Sequence, residues 1–247
     1  MKPKILLYDI ENTPLVSYTW GIWEQDVVEV KEEWYILSFA YKWLGEKTTY
    51  VRSLPDYPLY KKDPKNDREL MRTLWTLFNE ADVVIGHNSN QHDDKKSNAR
   101  FIQHGFMPPK PYQTVDTLKV ARRYFKFDSN KLDRLGQYFN LGRKVSHEGF
   151  SLWLGCMSGD KKAWNKMRRY NKQDVILLEK IYKKMLPYIT NHPNLSLYKH
   201  ILGCPNCGSG EAKKRGFALV KGGGKVTEKQ RWQCKKCHSW YQTSLAK

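Results

Sequence analysis

Lys4-Ile5-Leu6-Leu7-Tyr8-Asp9-Ile10-Glu11 decides how the rest of the chain is read. The stretch alternates as a strand does. Ile5, Leu7, Asp9 and Glu11 share one face, and Leu6, Tyr8 and Ile10 share the other. Two carboxylates at the end of a buried strand repel each other and lose hydration, and a divalent metal is the usual means of offsetting that cost. A strand that has emerged into water by residue 9 fits the same spacing.

Working outward, residues 34–43 and 47–52 are aromatic and β-branched and read as two more strands, with Gly45-Glu46 as a tight turn between them. Three prolines make 53–65 a loop, and 67–80 reads as a helix. Val83-Val84-Ile85 is a short buried strand running into Gly86-His87-Asn88. Helical patterns follow at 94–104, 116–125, 131–139 and 161–186. Three antiparallel strands followed by alternating helix and strand predict an α/β fold, a mixed sheet flanked by helices. No internal repeat is visible.

Two further groups of acids belong with Asp9 and Glu11. In the last long helix Met167, Tyr170, Asp174, Leu177, Leu178, Ile181 and Met185 form one stripe. Asp174 interrupts its apolar character, and Tyr170 lies one turn before it on the same side. A carboxylate on the core side needs a partner, either a nearby Arg or a metal. Asp93 and Asp94 follow the 83–85 strand near a helix start, where they favour the helix N-terminus or complete a metal site.

The chain has 247 residues, 40% hydrophobic and 28% charged, enough for a sizeable core plus an appendage. No apolar run approaches the ~20 residues that span a bilayer. Acidic residues follow closely on Met1-Lys2-Pro3-Lys4, so no secretory signal is expected and a cytoplasmic location is. Lys plus Arg is 43 against 25 acids, a net charge of +18 that favours nucleic acid as partner and not a membrane. The surplus is densest after residue 200, where ten basic residues face two acids.

That last segment also holds Cys204, Cys207, Cys234 and Cys237, two Cys-x2-Cys pairs with 26 residues between them. This spacing reads as one tetrahedral, structural Zn²⁺, since four thiolates leave no open position. So short and polar a segment would hardly fold without metal. Cys156 stands alone and reads as a small buried hydrophobe. Pro187 and the turn residues 190–194 place a boundary between a domain at 1–190 and a second at 201–247, with Lys221-Gly222-Gly223-Gly224-Lys225 as a hairpin tip.

Taken together, Asp9-Ile10-Glu11, Gly86-His87-Asn88 with Asp93, and Tyr170-x3-Asp174 resemble the three exonuclease motifs of the DEDD superfamily. The Tyr four before the last Asp matches its DEDDy branch. The closest likeness is to RNase H-like exonuclease domains of the YprB kind, common in phages, over residues 1–190, and the tail resembles a small β zinc ribbon. The resemblance implies an RNase H-like fold and 3′→5′ exonuclease chemistry. Asp9, Glu11, Asp93 and Asp174 would bind two Mg²⁺ or Mn²⁺, Tyr170 would orient the attacking water, and nucleoside 5′-monophosphates would leave. Single-stranded DNA or DNA 3′ ends would be the substrate, with a replication or repair protein as a further partner.

Departures from the family pattern surround Asp93. His92 and Asp94 stand where an aromatic and an aliphatic are usual, and 89–97 has no apolar residue, so Asp94 is an alternative ligand. His238 takes a position where Gly is common in zinc knuckles. Lys95, Lys96 and Arg100, then Lys119, Arg122, Arg123 and Lys126, then Arg168, Arg169 and Lys172 are candidate phosphate contacts. Tyr18-Thr19-Trp20-Gly21-Ile22-Trp23 could stack unpaired bases or pack on the core as a hairpin. Asp116 reads as a helix cap, and Asp133 is left outside the site. Competing readings are an RNA exonuclease with the same catalytic residues, and a nucleic-acid-binding module whose site has decayed.

Overall fold

Eight residues at the centre of a sheet carry the architecture. The computed structural model describes residues 2–23 and 26–245. In it β1 (Ile5–Asn12) pairs antiparallel with β4 (Ile36–Trp43) on one side and parallel with β6 (Val83–Gly86) on the other. Strands β5 (Tyr50–Ser53) and β7 (Gln113–Asp116) close the edges, giving the order β5-β4-β1-β6-β7. Between β1 and β4 the chain makes a separate two-stranded sheet, β2 (Val16–Tyr18) and β3 (Glu29–Glu32).

Both faces of β1 are covered, which is why its sequence is apolar on both before the acids begin. Leu6, Tyr8 and Ile10 pack with Leu70, Met71, Leu74 and Phe78 of α1 (Arg68–Glu80) and with Phe101 of α2 (Asp93–Gln103). Ile5 and Leu7 pack with Val175, Leu178 and Ile181 of α6 (Lys161–Met185), and with residues of α3 (Thr117–Tyr124) and α4 (Leu132–Tyr138). The architecture is an RNase H-like mixed sheet flanked by helices. The α6 stripe buries every member named from its spacing.

Besides β2 and β3, two elements escaped the sequence pattern. β7 is four residues behind Pro108, Pro109 and Pro111, too short and half-exposed to show a period. The helix α5 (Ser151–Met157) buries only Leu152 and Cys156, so the lone cysteine does sit in the core. The stretch 53–65 is two 3-10 turns, with Pro55 and Pro58 near their starts.

Beyond α6 the chain turns at Leu186–Tyr188 and forms a three-stranded sheet in the order β10-β9-β8. β8 (Ala212–Gly222) and β9 (Lys225–Cys234) are a long hairpin, and β10 (Trp240–Ser244) pairs with β9. Asn206 ties this unit to the end of α6, donating to the carbonyls of Leu186 (3.0 Å) and Ile189 (2.7 Å).

Candidate active site and cysteine cluster

The β1–β4 register fixes where the first acids point. Asp9 stands opposite Ala40 and Glu11 opposite Ser38, on the face that α6 covers. Asp174 arrives on that helix at 1% exposure. Carboxylate oxygens of Asp9, Glu11 and Asp174 all lie within 4.8 Å of one another. So close a set cannot shed its charge into water. Burial, then the neighbouring carboxylates Asp93, Glu11 and Asp174, push Asp9 well above the usual range. Burial and Asp174 push Glu11 up to about 8. Burial raises Asp174 as well, against the opposing pull of Lys144.

Lys144 is the cation of the site, and no sequence signal marked it. Its Nζ donates to Asp174 Oδ2 at 2.5 Å and to the Tyr170 hydroxyl at 3.1 Å. It lies in a loop without regular structure, held where its backbone N–H donates to Asp133 Oδ1 at 2.8 Å. Burial opposes its charge, yet the surrounding acids, led by Asp174, hold its pKa above the usual lysine value. Tyr170 is further boxed by the rings of His147 (4.9 Å) and Trp153 (6.1 Å), and burial raises its phenol strongly. Asp133 thus acts on the site from outside it.

Asn171 was also missed, although it lies three residues before Asp174 on the buried side of α6. Its Nδ2 donates to Asp9 Oδ2 at 2.7 Å, and its Oδ1 accepts from Ser38 Oγ at 3.1 Å. It locks the β1 carboxylate to the helix that brings Asp174.

Asp93 opens α2 and is buried, but it stands outside the three-carboxylate group. One oxygen accepts from the Ile10 backbone N–H at 3.1 Å, and its charge acts on Asp9. Asp94 turns the other way and accepts from the Tyr8 hydroxyl, on the α1 face of the sheet. The polar run 89–97 is nonetheless packed: Ser89, Asp93 and Ser97 are buried. A Cβ on Gly86 would lie 2.4 Å from the Ser89 side chain, so glycine is what lets this turn close. His92 is half-exposed beside Asp93. Asp116 caps α3, as its place in the sequence predicts, and it also accepts from the Asn88 N–H at 2.9 Å.

A cleft of about 620 Å³ opens beside Lys144 and Asp133, lined also by His87, Asn88, Arg122 and Lys131. Of the candidate phosphate contacts, Lys95, Lys119, Arg122, Arg123, Lys126, Arg169 and Lys172 are exposed. Two are corrected. Arg100 is buried against Asp67, with Nη2 to Oδ1 at 2.5 Å, and Arg168 is committed to Ser53 and Asp56.

The residues fit hard divalent ions. Asp174 Oδ1 is buried with no hydrogen-bond partner, and the three carboxylates offer the oxygen donors that Mg²⁺ or Mn²⁺ take. The four cysteines make the other cluster. Cys204 and Cys237 sulfurs are 3.5 Å apart and those of Cys207 and Cys234 3.6 Å, close to the ~3.8 Å edge of a tetrahedron with ~2.3 Å Zn–S bonds. The two knuckles match in backbone. Gly208 and His238 both take φ of +64°, each donating to the carbonyl of the first cysteine of its pair.

The family model of the RNase H superfamily matches residues 7–186, and the chain belongs to that superfamily. A search of curated proteins found no match. Among solved structures the chain is similar to the family B DNA polymerase from the hyperthermophilic archaeon Pyrobaculum calidifontis, with a TM-score of 0.57 and 17% identity over 83% of this chain. It spans 26% of the polymerase, and at that identity the likeness is one of fold.

Proposed function

We propose that the chain is a DEDDy-type, metal-dependent 3′→5′ exonuclease that hydrolyses DNA phosphodiester bonds and releases nucleoside 5′-monophosphates. The observation that carries this reading is the convergence of Asp9, Glu11 and Asp174 from a central strand and a distant helix, with Tyr170 one turn from Asp174. Asp9, Glu11 and Asp174, with Asp93 beside them, would hold two Mg²⁺ or Mn²⁺. Such ions, when bound, lower the pKa of a water and offset charge on the leaving 3′-oxygen.

The chain's own groups do the rest. Tyr170 stays protonated because burial raises its pKa, so its hydroxyl orients a water and does not serve as a free base. Lys144 holds that hydroxyl and Asp174 in fixed relation through its two hydrogen bonds. Asn171 fixes the Asp9 carboxylate. At the other cluster Cys204, Cys207, Cys234 and Cys237 would bind one structural Zn²⁺ in a zinc ribbon, residues 201–247, appended to the exonuclease domain 1–190.

The test uses end-labelled single strands of DNA and RNA with Mg²⁺ or Mn²⁺. Mononucleotide release from DNA is expected, and Asp174→Ala should lower it at least ~10³-fold, several kcal/mol at 1.36 kcal/mol per decade, with the fold intact. Full activity in Asp174→Ala refutes the site. Release from RNA alone identifies an RNA exonuclease.

A further inference from the structure

The segment between β1 and β4 has no role in that reading, and its side chains face the wrong way for a structural one. The chain is pinched at its root: Thr13 N–H donates to the Tyr35 carbonyl and Tyr35 N–H donates to Thr13 Oγ1, both at 2.9 Å. Beyond this neck an arm that includes β2 and β3 leaves the sheet two residues after Glu11. Trp20 is 84% exposed, Ile22 87% and Trp23 92%, and Tyr18 is half-exposed with Lys31 Nζ 6.0 Å from its ring. A hairpin packed on the core is therefore not what forms. An isolated two-stranded sheet is marginal in water, and large apolar side chains held out on one cost solubility without adding to the core.

Position and charge together say what the arm meets. The neck is seated on the element that carries Asp93: Lys96 and Arg100 of α2 lie 4.0 and 5.7 Å from the Trp34 ring. The arm thus leaves the sheet at the end of β1 that carries Glu11, and its neck touches α2, whose first residue is Asp93. Residues 14–34 hold five acids against one lysine in a chain of net charge +18. An acidic arm repels phosphates, whereas lysines such as Lys96 at its root attract them. A single strand there would lie with bases against the arm and phosphates against the body. Base–aromatic stacking suits every base, as an enzyme that removes any nucleotide requires.

We infer that Trp20 and Trp23 stack unpaired bases of the substrate upstream of its 3′ terminus, which makes a single strand, not a duplex end, the substrate of this site. The inference rests on the exonuclease reading above and specifies its substrate.

The experiment pairs two substrates. One is a single-stranded oligothymidylate. The other is the p-nitrophenyl ester of thymidine 5′-monophosphate, which presents a scissile phosphodiester without an upstream strand. In the full chain, Trp20→Ala with Trp23→Ala should raise KM for the oligonucleotide about 10- to 100-fold. It should leave kcat and ester hydrolysis unchanged, with the same ratio at 50 and 200 mM salt, because stacking involves no phosphate contact. Trp20→Phe with Trp23→Phe should restore most of the loss. In Ca²⁺, oligonucleotide should quench tryptophan emission of the native chain and not that of the Ala pair.

An unchanged oligonucleotide KM overturns the inference, as does equal loss on both substrates. Oligonucleotide affinity indifferent to the Ala pair, with a change of oligomeric state instead, assigns the arm to protein contact and overturns it too. A native chain that hydrolyses neither substrate refutes the exonuclease reading, and the quenching arm still decides whether the tryptophans meet bases.

Discussion

The acidic cluster and the cysteine cluster each gather side chains that could hold a metal, yet they are assembled by opposite means. The four cysteines lie within 34 residues and are brought together by two matching turns, so most of the geometry is local. Asp9 and Asp174 are 165 residues apart and meet only because α6 packs across β1. The acids also carry their own compensation, Lys144 at 2.5 Å from Asp174, while the thiols meet one another, the Ser239 hydroxyl and the Lys236 backbone N–H. A fold with a large core can carry repelling carboxylates that await metal. A small three-stranded sheet with few buried apolar side chains has little core to fold around, which is where a structural metal would count most.

On the proposed zinc reading of the cysteine cluster, chelation should show the largest effect. Structural Zn²⁺ sites contribute ~10–16 kcal/mol in isolated fingers. A strong chelator should therefore collapse the amide signals of β8, β9 and β10 while those of β1 and α6 stay native-like, as read by two-dimensional NMR. Intact ribbon signals would break the contrast between the two clusters.

The acids predict a smaller, pH-dependent effect. Glu11 is pushed up to about 8, and Asp9 and Asp174 are raised too, so between about pH 5 and 8 the metal-free folded chain binds more protons than the unfolded one. Stability from these groups is full at low pH and is lost as pH rises through that window, by up to ~1.36 kcal/mol per pH unit for each proton. Mn²⁺ should raise the thermal midpoint much more at pH 8 than at pH 5. Equal shifts at both values would mean the carboxylates are not the ligands.

The smallest effect sharpens the likeness of the knuckles. His238 holds the left-handed conformation that glycine holds at Gly208. His238→Gly should stabilise the zinc-loaded ribbon by about 0.5–1 kcal/mol, seen as slower zinc loss to a chelator. Faster loss would show that the imidazole contributes something the backbone does not require.

Much of the site was legible because its residues break strong periods. Asp9 and Glu11 interrupt a strand, and Asp174 an apolar helical stripe. Lys144 interrupts nothing, since it lies in a loop with no period to break, and Asn171 is polar without being charged. β7 was missed because a four-residue edge strand carries no measurable alternation. Arg100 looked like a surface cation because the spacing of α2 does not reveal that Asp67 is waiting beneath it.

The order of the acids, their one-face placement on β1 and α6, and the paired Cys-x2-Cys turns are properties of the chain itself, because strand and helix periods and short turns are local. The sheet order, the seating of Lys144 between Asp174 and Tyr170, and the exposure of Trp20 and Trp23 belong to the tertiary structure. They depend on contacts between residues far apart in sequence, and local periodicity carries no record of which distant partner a side chain will meet.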